Sequence, residues 1–354
     1  MAMFTLAQAK ELSQDKLTNY VIDEFRKSPL LDAMVFDDTV KPQGGSTMTY
    51  SKAAASVAVE QTELKAKRKL PVWVIYLLPS LLIFLLFTIY PFVKTFITSF
   101  FATSTTGAMT KFVGVQNYID LFTNANYLQS LGTTFLYTLL TVPLTVIISL
   151  LLAVLSASNL PGMGVFRTIF SSTMGISVAA GSVFWNLLFH PTAGLLNQIV
   201  TAFGGKPIGW LTDTHYAIFA ISAVSIWMNI GFSYLVLMGG IKNIDDSHYE
   251  SVEIVGGGFF YRLRKVTIPL VSPSLFFVFT TSLINAFQSF GLIDMLTSGG
   301  PNNTTNLMVY KLYQDAFVNY RFGSASAQGI VLFVLILLIS QLQTKLTERL
   351  VTYQ

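Results

Sequence analysis

The stretch from Ile241 to Pro269 reads IKNIDDSHYESVEIVGGGFFYRLRKVTIP and is polar and turn-rich, with long apolar runs on both sides. Ser247-His248-Tyr249-Glu250 has the S-x-x-E spacing of a capping box, so a short helix is predicted to begin at Ser247 and run through Ile254 or Val255. Gly256, Gly257 and Gly258 then stop it, because glycine enters left-handed backbone conformations without steric cost. The basic cluster Arg262, Arg264 and Lys265 follows, and Ile268-Pro269 opens the return into the next apolar run. The pattern predicts a helix–turn–helix element lying along one face of a membrane domain.

Outward from this loop, the chain offers six runs that approach the roughly 20 apolar helical residues needed to cross a bilayer core of about 30 Å. They cover 72–99, 133–156, 168–189, 216–239, 272–296 and 324–344, and the loop 241–269 lies between the fourth and fifth. The fold class is therefore all-α, an integral membrane protein with six transmembrane helices over residues 70–350. The first run is too long and too far along the chain to be a cleaved signal peptide, and no small-residue cleavage pattern follows it.

Composition agrees. Of the 354 residues 52% are hydrophobic and only 11% charged, against about a quarter charged in ordinary soluble domains. Residues 1–69 hold 10 of the 22 Lys and Arg and 9 of the 18 Asp and Glu, so a polar tail is joined to the membrane domain. The absence of cysteine excludes a disulfide framework, a thiolate nucleophile and a Cys-based metal site. His190, His215 and His248 are far apart in sequence, which argues against a metal site, and no phosphate-binding G-x-x-x-x-G-K-[ST] or hydrolase motif occurs. The net charge of +4 is small, and its basic residues cluster at span ends, which indicates membrane topology and not nucleic-acid binding. With the tail in the cytoplasm, 11 Lys and Arg near span ends fall inside and 5 outside, so both termini are predicted cytoplasmic. Arg262, Arg264 and Lys265 also read as an anchor for anionic membrane lipid.

Pro91, Pro143, Asn186, Asn229, Asn285 and Gln288 interrupt the apolar runs. Such groups are costly in lipid unless they face other helices or a wet cavity, so the spans are expected to bundle around something polar. No span carries a series of buried charges of the kind used in proton relays, which argues against an ion-coupled carrier.

Glu250, six residues before Gly256, with Ile268-Pro269 twelve residues further on, resembles the EAA-type signature of permease subunits of binding-protein-dependent ABC importers. Ser251 and Val252 stand where that family has paired alanines, and Val255 where an acidic residue is common; the first two keep the helix, and the third removes one polar contact. Three further strings resemble the carbohydrate branch, in its maltose-type or glycerol-phosphate-type first permease subunit. They are Phe112-Val113-Gly114-Val115-Gln116-Asn117-Tyr118, Gly194-Leu195-Leu196-Asn197 with Trp210-Leu211, and Leu296-Thr297-Ser298-Gly299-Gly300-Pro301 followed by Thr305. Their order and spacing around six spans make the resemblance specific.

The resemblance implies a permease half in the bacterial inner membrane that imports a sugar or sugar-like solute. Its partners would be a second permease subunit, an ATP-binding subunit dimer and an extracytoplasmic solute-binding protein. ATP and magnesium would belong to the ATPase, leaving this chain without a cofactor and without catalysis. Coupling to the ATPase falls on Ser247, Glu250, Ser251, Val252, Gly256, Gly257, Ile268 and Pro269. Asn229, Ser233 and Tyr234 on span four, with Asn285, Gln288 and Ser289 on span five, form the expected solute pathway. The last three lie at i, i+3 and i+4 on one helical face, and the set supplies amides, hydroxyls and an aromatic platform for a hydroxyl-rich ligand. Their alternative role is hydrogen bonding between helices. The rival function from another class is a stand-alone secondary carrier or channel. In the tail, the stretch Ser28 to Asp32 resembles the amino-terminal arm of tailed-phage capsid proteins, which implies a foreign or expression-derived segment with no transport role.

Overall fold

A computed structural model describes residues 72–157 and 161–347; the tail reading for 1–69, with its amphipathic stretch near 6–25 and helix-prone segment 53–67, lies outside them. The first span comprises helix α1 (Val72–Phe84), a π turn (Leu85–Ile89) and helix α2 (Tyr90–Thr98). The π turn sits immediately before Pro91. Proline lacks an N–H and its ring crowds the carbonyl four residues upstream, so one wider turn lets the span continue. A second π turn, Leu263–Thr267, precedes Pro269 in the same way.

A short antiparallel hairpin follows, β1 (Phe101–Thr103) with β2 (Met109–Phe112), pairing Phe101 with Phe112 and Ala102 with Lys111. It is a small addition to the all-helical expectation. Helix α3 (Gln116–Thr123) leads to α4 (Ala125–Ser156), which is longer than the predicted 133–156. Asn124 starts α4 by accepting hydrogen bonds from the amides of Asn126 and Tyr127 at 2.9 and 3.2 Å. One side of α4 buries Ser130, Thr134, Thr138, Thr141, Thr145 and Ser149, a seam of small hydroxyl residues at helical spacing. Several bond back to their own helix, as Thr134 Oγ1 does to the Ser130 carbonyl at 2.7 Å and Thr141 Oγ1 to that of Tyr137 at 2.8 Å. Small side chains allow close helix approach in lipid, and α4 packs most extensively on α8 (Ala217–Lys242).

The third run is not one straight helix. It divides into α5 (Met163–Ser172), a 3₁₀ turn (Thr173–Gly175) and α6 (Val178–Leu188), with a bend of 106° at Ile176 and Ser177. Ser177 caps α6 by accepting from the Ala180 amide at 3.2 Å. Span four presses against this break at Gly231, where a methyl group would overlap Thr173 Oγ1.

Beyond α6 lie α7 (Leu195–Ala202) and α8, then α9 (Asp246–Ile254), α10 (Phe259–Arg262) and α11 (Ile268–Leu270). The fifth run, predicted as 272–296, also breaks: α12 (Ser272–Phe287) stops at Gln288, and α13 (Gly291–Leu296) follows as a short separate helix. At its other end α12 bends by 71° from the segment Phe259–Leu270. Helix α14 (Met308–Tyr313), a third π turn (Gln314–Val318) and α15 (Phe322–Thr347) complete the described chain. Four helical stretches are therefore long and apolar enough to cross a membrane, or six when each bent pair counts as one span.

Two apolar clusters hold the described bundle together. One gathers Tyr127, Tyr137, Ile221, Phe287, Leu292 and Met308 from the α4, α8, α12, α13 and α14 segments. The other gathers Ala153, Tyr234, Leu237, Ile241, Val266 and Val271 at the end of the bundle that carries α9.

Candidate functional site

Helix α9 starts one residue earlier than the capping-box reading placed it. Its cap is Asp245, whose Oδ1 accepts the Ser247 amide at 2.8 Å, and Glu250 is exposed instead of closing the box. Hydrogen bonds from Ser247, side chain first and backbone second, hold the Asp245 carboxyl below the usual carboxylate range. The C-terminal end follows the glycine reading. Gly256 adopts φ +75°, its amide donates to the Glu253 carbonyl at 2.9 Å, and the Gly257 amide donates to that of Val252 at 2.9 Å. These two bonds form a Schellman motif, which satisfies carbonyls that the end of a helix leaves free.

The two faces of α9 differ. Tyr249 and Val252, three residues apart, pack inward on the cluster around Ile241, Ile244 and Val266, and Tyr249 Oη lies 3.3 Å from Thr267 Oγ1. Half-burial of each side chain stabilises this seat by about 1 kcal/mol. Ser247, His248, Glu250 and Ser251 face outward, and Ile254 and Val255 at the tip are 87% and 81% exposed. Val252, expected among the groups that meet a partner, therefore belongs to the seat. Gly257 is required beside it, since a methyl there would overlap Val252 Cγ1.

After Gly258, α10 presents Phe259, Phe260 and Tyr261 to the outside, and Arg262 pairs with Glu253 across the turn. Ile268 and Pro269 are not on the projecting face. They form the joint where the loop bends into α12, with Ser272 Oγ donating to the Pro269 carbonyl at 2.7 Å.

The expected solute-facing set is divided by the structure. Ser233 and Tyr234 are buried within the chain, and the Tyr234 ring stands edge-on to Phe170 with centroids 5.8 Å apart. Asn229 is half-buried and its amide donates to the Ser225 carbonyl of its own helix at 2.8 Å. Asn285 and Gln288 are exposed, whereas Ser289 lies beyond the end of α12 and bonds Tyr137 Oη at 3.1 Å. The single helical face expected for 285, 288 and 289 is thus interrupted at Gln288.

The three loop strings act as staples. Asn117 Nδ2 donates to the Ser99 and Phe101 carbonyls at 2.8 and 3.1 Å, tying α3 to the hairpin. Buried Asn197 donates to the Pro191 and Ile208 carbonyls and accepts from the Ile208 amide and Trp210 Nε1, all within 3.0 Å. Thr305 Oγ1 bonds the Gly300 carbonyl at 2.6 Å and Thr297 Oγ1 at 2.7 Å. One polar knot was missed. Asp315 is buried and bonds Lys311 Nζ, Asn319 Nδ2 and Gln328 Nε2 at 2.9, 2.9 and 2.6 Å. Burial opposes its ionisation, but the bonds from Lys311, Gln328 and Asn319 outweigh that and keep its carboxyl below the usual range. The i, i+4 spacing of Lys311 and Asp315 was the available sequence signal.

Residues 124–352 match the family described as "Binding-protein-dependent transport system inner membrane component". The chain belongs to this family. The sn-glycerol-3-phosphate transport system permease protein UgpA of Yersinia enterocolitica is 30% identical over 287 residues, 80% of this chain and 96% of the relative. UgpA of Agrobacterium fabrum is 30% identical over 278 residues, 78% of this chain and 94% of that one. In three dimensions the chain resembles a chain of a bacterial ABC transporter involved in the import of the acidic polysaccharide alginate, with a TM-score of 0.71 at 20% identity, covering 79% of this chain and 96% of the other. This inner-membrane component is thus a multi-pass transport protein, and the resemblance read from the loop and the three staples is borne out.

Proposed function

We propose that this inner-membrane component is one permease half of an ATP-driven importer for a sugar or sugar-like solute, polyol phosphates included. A second permease completes the pathway, an extracytoplasmic binding protein delivers the solute, and two cytoplasmic ATPase subunits hold ATP and magnesium. Both termini and the α9 loop lie in the cytoplasm. The observation that carries the reading is the construction of α9. It is capped at one end by Asp245, closed at the other by Gly256 and Gly257, and seated by Tyr249 and Val252, with Glu250, Ser251 and Ile254 left outward for a partner.

In this reading closure of the ATPase pushes α9, and the push reaches the spans through rigid contacts. Tyr249 bears on Thr267, and Val252 packs on the apolar cluster that joins the α8 and α12 segments, so a small displacement of α9 is passed to both. Solute contact falls on the exposed amides of Asn285 and Gln288, which can exchange hydrogen bonds with hydroxyl groups. The names of the relatives support the solute class: one family handles sn-glycerol 3-phosphate and the structural neighbour handles alginate.

Gly256→Pro tests the reading. Proline cannot adopt φ +75° and removes the N–H that bonds the Glu253 carbonyl. The assembled transporter is expected to lose solute-stimulated ATP hydrolysis while all subunits still co-purify. Stimulation at the wild-type level would refute the coupling role of α9.

A further inference from the structure

Behind α9 lies a cavity of about 470 Å³ whose lining combines two chemistries. Its wall is apolar, formed by Val154 and Ala157 at the end of α4, Ile241 at the end of α8, and Phe259 and Leu263. Its polar part carries the cations of Lys242 and Arg262, the hydroxyl groups of Tyr249 and Thr267, and one carboxylate, Asp246. Glu253 fixes Arg262 by one guanidinium nitrogen, leaving its other donors available. Lys242 is exposed and makes no ion pair among the described residues.

The position of the cavity narrows the ligand. Helices α4 and α8 are both apolar enough to cross the membrane, and the cavity opens where both end, at headgroup depth. A free phosphate would satisfy the cations and leave the apolar wall bare. An amphiphile with an anionic head and an acyl tail matches both parts. A lysine at this depth can extend its stem along apolar surface and hold its ammonium at the headgroup level. We propose that this cavity binds the headgroup phosphate of an anionic phospholipid of the cytoplasmic leaflet, with one acyl chain along Val154 and Leu263. The leaflet assignment rests on the Lys and Arg bias that puts the loop inside. The lipid then bridges the ends of α4 and α8 to the base of the α9–α10 turn, so anionic lipid content tunes the stiffness of the coupling element.

The test uses the intact transporter purified in detergent and exchanged with phosphatidylglycerol, with retained lipid counted by native mass spectrometry in the absence of nucleotide. Retention is read without ATP turnover, so its outcome is independent of the coupling reading. Lys242→Gln, which breaks no ion pair among the described residues, is expected to weaken retention about fivefold, and Lys242→Gln with Arg262→Gln about 30-fold. Glu253→Gln, which loosens the turn but keeps both cations, is expected to retain the lipid. In nanodiscs of phosphatidylcholine alone, solute-stimulated hydrolysis should fall, phosphatidylglycerol should restore it, and inorganic phosphate should not. Equal retention by wild type and Lys242→Gln would overturn the site, as would rescue by inorganic phosphate or equal retention of phosphatidylcholine.

Discussion

A methyl group placed on Gly257 would overlap Val252 Cγ1 and stand 3.0 Å from the Tyr261 ring. Gly257→Ala is therefore expected to destabilise the α9 turn by about 1–3 kcal/mol and to lower coupled hydrolysis. Val252→Ala in the same chain removes the overlapping atom, so the double variant should recover part of that loss. A double-mutant cycle on ATP hydrolysis measures the recovery, and strict additivity would show that the two positions do not touch. Asp245 supplies a second residue-scale prediction. Its carboxyl is depressed in the folded state by Ser247, so the cap contributes stability above the ordinary Asp pKa and loses it as pH falls through the depressed value. Hydrogen exchange at the Ser247 amide should stay protected through the ordinary carboxylate range and open only below it, and Asp245→Ala should abolish that protection at every pH. The glycine stop was legible because three consecutive glycines admit few other readings. The cap was not, because Asp245, Asp246 and Ser247 are adjacent and each is a good capping residue.

At the level of elements, hydropathy located every apolar run but not the two breaks. The third run bends by 106° at Ile176 and Ser177, and the small residues Gly175 and Ser177 beside the break do not lower its apolar average, since small residues are nearly neutral on such a measure. Pro91 was visible as a breaker and Pro269 as the opening of the next run, and each is preceded by a π turn, whereas Pro143, visible in the same way as Pro91, lies inside an otherwise continuous α4. The hydroxyl seam of α4 was equally visible as letters, but its meaning depends on which face meets α8. The Asp315 knot joins the π turn of 314–318 to α15 through Gln328. Asp315→Asn removes the counter-charge of Lys311, which is only 16% exposed, and is expected to destabilise the protein by about 3 kcal/mol. A thermal-denaturation midpoint of the detergent-solubilised chain unchanged from wild type would contradict that role.

Across the whole molecule, the distribution of exposed groups fits the proposal that this chain works with a second permease. The span Tyr76–Thr98 is apolar and none of its most hydropathic window is buried in this chain, which suits lipid or a neighbouring subunit. The polar groups expected to line a path are divided: Ser233 and Tyr234 are enclosed in the chain's own core, and Asn285 and Gln288 face outward. In the proposed assembly a second permease supplies the other wall of the passage, and the ATPase presses on the projecting α9. The family was legible because its strings fall on staples and on a capped loop that any such bundle must build. Which members of the expected solute set are exposed was not legible, because burial depends on how helices turn toward one another. The direct measurement is uptake into proteoliposomes of labelled sn-glycerol 3-phosphate and labelled maltose in parallel. One set holds the purified chain alone, and the other holds it with its companion permease, ATPase and binding protein. Accumulation of one solute is expected only in the complete assembly and only with ATP on the ATPase side; accumulation driven by the chain alone would contradict the proposed role.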